Sequence, residues 1–147
     1  MNKNSTYMIK CILSLIFLIN TCSLKAQDDN NLLFRVDFQD FFKNDKVSFR
    51  VNKQDIFTNQ KLKSDLVIGR TEFIIKIFNT DNCAIALFKD KIIHLKKIVS
   101  PIILEISINN HLNTYVVNLD NGKYLGFSKK KKNELDSMQL KRSYMYE

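Results

Sequence analysis

The chain has 147 residues, 45% of them hydrophobic and 26% charged, with 3 Gly, 1 Pro and no Trp. That balance excludes a disordered chain, a collagen-like repeat and a disulfide-dense miniprotein, and the length fits one domain. Lys and Arg number 23 against 15 Asp and Glu, a net charge of +8.

Residues 1–26 read as a secretory signal peptide. Lys3 and Lys10 precede residues 11–19, an uncharged run in which Ser14 is the only polar residue. A bilayer-spanning helix needs about 20 apolar residues, so this run is too short to cross. Residues 20–25 turn polar, and Ala26 marks the expected cleavage point. Cys22, preceded by Asn20 and Thr21, offers an alternative, a lipid-modified cysteine that would anchor the chain. Cutting after Ala26 leaves 20 Lys and Arg against 15 Asp and Glu, a net charge of +5. Of 3 cysteines only Cys83 stays, so the sequence predicts an exported core without an internal disulfide. The one glycosylation sequon, at Asn4, leaves with the signal. Together these features point to the periplasm or cell envelope of a bacterium, with full secretion as the alternative.

Residues 27–147 read as a single all-β domain. Phe34, Val36 and Phe38 alternate with Arg35 and Asp37, the period of a half-buried strand. Residues 39–44 form a connection with room for one helical turn. Val47, Phe49 and Val51 repeat the alternation, and residues 52–55 turn the chain into a strand over 56–62. Phe73, Ile75 and Ile77 start the next strand, and residues 80–82 turn it into a strand over 83–88. A short strand over 92–95 follows. Pro101 cannot donate a ladder hydrogen bond, so it suits a strand entry before Leu104, Ile106 and Ile108. Residues 109–111 turn into a strand over 112–119. The Asn121-Gly122 pair predicts a tight hairpin into residues 123–128. A helical turn over 132–137 and a last strand over 138–144 complete the reading.

That gives about nine or ten strands at the spacing of an antiparallel β-sandwich. Ile74-Ile75, Ile92-Ile93 and Val116-Val117 carry apolar side chains on both faces, which favours two packed sheets. A small β-barrel is the alternative.

Catalytic chemistry is sparsely provided. The histidines are His94 and His111, no G-x-S-x-G elbow exists, and a Cys83–His94 dyad would need two strands to converge. Cys83 opens a strand, where an inert thiol is expected. Glu72, Glu105 and Asp37 would have to converge for glycoside chemistry. No Cys/His cluster has zinc spacing, and residues 28–31 have the oxygens but not the spacing of a calcium loop. Gly69, Gly122 and Gly126 form no phosphate-cradling loop. The sequence therefore predicts no catalytic residue, no metal and no cofactor.

Two surface features stand out. The run Lys129, Lys130, Lys131 and Lys132 is either a patch for phosphates, anionic lipid or an acidic partner, or a solvated turn. Phe41-Phe42 in a connection, with Tyr144 and Tyr146 near the end of the chain, makes an aromatic contact surface the second candidate. Export argues against a nucleic-acid partner. The reading these features favour is a non-catalytic accessory or adaptor subunit. It would dock to another cell-envelope protein through a β edge or this aromatic and basic surface, with peripheral membrane association in reach. An extracytoplasmic module binding a glycan or small apolar molecule, and a secreted enzyme inhibitor, are the alternatives.

Overall fold

The computed structural model describes residues 31–65 and 67–143. The expected leader, Cys22, Tyr144 and Tyr146 lie outside the described residues. Among these, ten strands follow one another without an α-helix: β1 (Leu32–Phe38), β2 (Lys43–Val51), β3 (Gln54–Lys63), β4 (Ile74–Asn79), β5 (Cys83–Phe88), β6 (Lys91–Lys96), β7 (Ile102–Ile108), β8 (His111–Val117), β9 (Tyr124–Lys129) and β10 (Leu135–Leu140). They form a six-stranded sheet, ordered β10-β9-β1-β4-β5-β6, and a four-stranded sheet, ordered β3-β2-β7-β8. The fold is an all-β sandwich, not a closed barrel.

The alternation that marks each strand also builds the core. β1 buries Phe34, Val36 and Phe38 while β2 buries Val47, Phe49 and Val51 and β7 buries Leu104, Ile106 and Ile108. The Phe38 ring sits at the centre, 5.8 Å from Phe42, 6.0 Å from Phe49 and Phe57, and 6.2 Å from Phe127. Three of these four contacts are edge-on, the geometry the ring quadrupole favours. A second small cluster, Leu32, Phe78 and Ile85, lies apart from it. A register shift between Leu32 and Phe34 breaks the β1 alternation there and pairs Leu32 with Phe78.

Four local expectations are corrected. β1 pairs in parallel with β9, Asp37 opposite Gly126, so the sandwich is not wholly antiparallel. The expected hairpin at Asn121-Gly122 is a crossing between sheets, because β8 belongs to the small sheet and β9 to the large one. Leu119–Asn121 forms a 3-10 turn there, and a Cβ on Gly122 would lie 2.1 Å from the Leu140 carbonyl oxygen. Glycine serves close approach at this point. Residues 39–42 contain no helical turn. The helical turn expected over 132–137 is a 3-10 turn at Lys131–Asn133, so the last described strand starts at Leu135 rather than Met138.

The strand directions gather five connections at one end of the sandwich: 39–42, 64–73, 89–90, 109–110 and 130–134. Its two long sides are set by the outer strands, β3 beside β6 and β8 beside β10.

Candidate interaction surfaces

Phe41 and Phe42 part company in the 39–42 connection. Phe42 is 2% exposed and packs on Phe38, whereas Phe41 is 68% exposed. Phe42 is therefore corrected from contact residue to core. Ser64 fixes this arrangement. Its hydroxyl donates to the Gln39 carbonyl at 2.6 Å and accepts from the Phe42 amide at 3.0 Å, while its own amide donates to the Phe42 carbonyl at 2.9 Å. Thr71 adds an amide and a hydroxyl bond, 2.9 and 2.7 Å, to the Phe38 carbonyl. The 39–42 and 64–73 connections are thus stitched together. Phe41 is left at φ 70°, a left-handed backbone that an aromatic residue rarely adopts.

The 64–73 connection supplies two apolar residues that the strand pattern does not reveal. Val67 is 95% exposed and Ile68 46% exposed. The Asp65 carboxylate accepts from their backbone amides at 2.7 and 3.2 Å, which holds the tip as a turn. Beside it lies an open cleft of about 820 Å³, walled by Lys61, Lys63, Arg70 and Lys89 with Asp65 and Glu72. The Lys89 ammonium lies 4.4 Å from the centre of the Phe73 ring. Among the described residues Phe73 is the one aromatic in the cleft wall, and the cleft is open rather than enclosed.

The lysine run divides in the same region. Lys129 is corrected from surface patch to structural residue. Its side chain is 17% exposed and its ammonium pairs with Asp45, itself 6% exposed. Asp45 also accepts the Lys43 amide at 2.8 Å and the Asn109 side-chain amide at 2.7 Å. Burial alone would push its pKa up. The Lys129 ammonium and these two N–H donors outweigh that and hold it below the usual 3.8. Lys130 pairs with Asp136 at 3.0 Å, both largely exposed, an arrangement of little energetic weight. Lys131 and Lys132 are exposed. The amide of Lys129 donates to the Asp40 carbonyl at 3.0 Å, so the run begins beside Phe41.

β8 is the second surface. It carries no Lys, Arg, Asp or Glu. Its hairpin with β7 turns on Asn109 and Asn110, both at positive φ, which makes Ile108–His111 the first pair of the ladder. From that register the backbone groups of His111, Asn113, Tyr115 and Val117 face β7, and those of Leu112, Thr114 and Val116 face outward. The side chains of Leu112 and Val116 are 58% and 71% exposed. The other outer strands are guarded. β6 begins and ends in lysine, β3 holds Asp55, Lys61 and Lys63 and a shifted register, and β10 presents Asp136.

The residues weighed for catalysis do not assemble. Asp37 lies between inward-facing Val36 and Phe38 on the large sheet, and Glu105 lies between Leu104 and Ile106 on the small one. The two carboxylates therefore point out of opposite faces. His94 is exposed opposite Ile85. Cys83 is half-buried and disulfide-bonded, which corrects the expectation of an unpaired thiol. Asp37 is 1% exposed and bonded to Arg35 at 2.7 Å. Burial pushes its pKa above 3.8 despite Arg35 and Arg70. Among the described residues no group of three His, Cys, Asp or Glu could hold a metal, and no helix is long and apolar enough to cross a membrane.

No protein family, curated protein or solved structure matches the chain.

Proposed function

We propose that the protein is a non-catalytic, exported accessory subunit of a bacterial cell envelope, and that it docks to another envelope protein by adding an extended segment of that partner to β8. One observation carries the reading: β8 is an outer strand with an uncharged sequence and outward backbone groups at Leu112, Thr114 and Val116. Strand addition needs little else. Main-chain hydrogen bonds supply affinity, and the exposed Leu112 and Val116 side chains supply selectivity. Natural outer strands are usually blunted by charge, bulge or cover, so a bare one has a use.

The test is a photo-crosslinking side chain at Thr114, with Ile92 on the lysine-ended β6 as the control position. In envelopes from the source cell, Thr114 is expected to give one adduct of discrete size and Ile92 none. Val116→Lys is expected to abolish the adduct while changing stability by less than about 0.5 kcal/mol, since the side chain is exposed. No adduct from Thr114, or equal adducts from both positions, overturns the proposal.

A further inference from the structure

The connection end of the sandwich makes a separate case, which does not rest on β8. Phe41, Val67 and Ile68 are exposed there, on two connections that Ser64 and Thr71 tie together. The tip rests against the 39–42 connection at its centre. Gly69 sits at φ +62°, and even a Cβ on it would lie 2.8 Å from the Asp40 carboxylate, so the two segments are already in contact. Phe42, the next residue along, fills the core against Phe38 and leaves Phe41 on the surface.

Charge surrounds this apolar tip. Lys61, Lys63, Arg70 and Lys89 wall the cleft on one flank, and on the other β9 ends beside Asp40 and leads to the exposed Lys131 and Lys132. Of the two acids in the cleft, Asp65 already accepts the backbone amides of the tip. Apart from the Asp40 carboxylate against Gly69, the surface is thus apolar at its summit and basic at its shoulders.

That order discriminates between acidic partners. A folded acidic protein offers fixed carboxylates on a firm surface, and would have to provide a pit for each protruding side chain. A bilayer gives way around them. Its phosphates form a continuous negative plane at the level of the shoulders, and its headgroup boundary accepts apolar side chains just beneath. We propose that this end binds the surface of an anionic phospholipid bilayer, with Phe41, Val67 and Ile68 entering the headgroup boundary and Lys61, Lys63 and Lys89 meeting lipid phosphates.

The chain contains no Trp, so one introduced residue is a unique reporter. Phe41→Trp replaces one exposed aromatic with another, and Val99→Trp places the control at an exposed apolar site on the opposite end. With vesicles of phosphatidylcholine and phosphatidylglycerol, the emission of Phe41→Trp is expected to shift to the blue, while that of Val99→Trp stays put. Pure phosphatidylcholine vesicles should leave both unchanged, and raised salt should reverse the shift. Adding Lys61→Gln, Lys63→Gln and Lys89→Gln together should weaken binding about a hundredfold, since each lysine near such a surface contributes about fivefold. The absence of a shift with anionic vesicles, an equal shift on neutral ones, or an equal shift at position 99 overturns the inference. So does binding that survives the triple substitution unchanged.

Discussion

The two long sides of the sandwich are finished differently. Between β3 and β6 a single side chain closes the seam. Gln54 donates to the Lys96 carbonyl at 3.2 Å and accepts from the Lys96 amide at 2.6 Å, imitating a neighbouring strand. Between β8 and β10 the ties are to β10 and its approach alone. The Tyr115 hydroxyl donates to the Leu135 carbonyl at 3.1 Å, and the Asn113 amide to the Asn133 carbonyl at 3.1 Å. Both tyrosine and asparagine point inward across the seam and leave the outward backbone of β8 untouched. A sandwich can therefore seal one outer strand with a polar side chain and leave another available while holding both sheets together.

The largest change is expected where the open side is pinned. Asp45→Ala strands the Lys129 ammonium beside the core and releases the Asn109 turn that leads into β8. We expect a loss of about 3 kcal/mol in urea denaturation, the usual cost of removing one member of a desolvated pair. A loss below about 1 kcal/mol would mean that Lys129 reaches water on its own.

The pH dependence comes next, because the two buried carboxylates contribute with opposite sign. Asp45 has a depressed pKa, so its contribution is complete above 3.8 and disappears as pH falls through its folded-state value. Asp37 has a raised pKa, so its ionised form weakens the fold. That penalty is present at neutral pH and is relieved as pH falls through the raised value towards 3.8. Denaturation at a series of pH values should therefore show Asp37→Asn gaining most on the wild type near neutrality and least near pH 3.8. A constant difference across the range would refute the assignment.

The smallest effect belongs to the sealed side. Gln54→Ala should cost about 1 kcal/mol, the net worth of an exposed hydrogen-bonded pair. The more telling readout is amide exchange at Lys96, which should quicken while the amides of β5 stay protected.

Most of the strands were legible because one face of each is buried, and burial writes a period of two into Phe34–Val36–Phe38 or Leu104–Ile106–Ile108. What failed was whatever depends on distant partners or unusual backbone. Nothing local in Lys129 announces a carboxylate 84 residues away. The parallel pairing of β1 with β9 is equally non-local. Asn121-Gly122 has hairpin chemistry, yet the glycine answers a close approach by Leu140. Which of Phe41 and Phe42 turns inward was unreadable because φ 70° at Phe41 breaks the alternation that would have decided it. For the interaction surfaces a signal did exist. Leu66, Val67 and Ile68 are an apolar triplet in the sequence between Asp65 and Gly69, outside any alternating run, and among the described outer strands β8 alone has no charged residue.

The parallel pairing has a consequence for how the chain comes together. β1 is an interior strand of the large sheet, flanked by β4 on one side and by β9 on the other. β1, β4, β5 and β6 are contiguous without β9, so β1 lies at an open edge of the large sheet until β9 and β10 are added. Pairings of such long sequence separation also form slowly. Arg35 meets Tyr124 across 89 residues, so the large sheet is completed by its most distant pairing, after contacts that neighbouring strands can make locally.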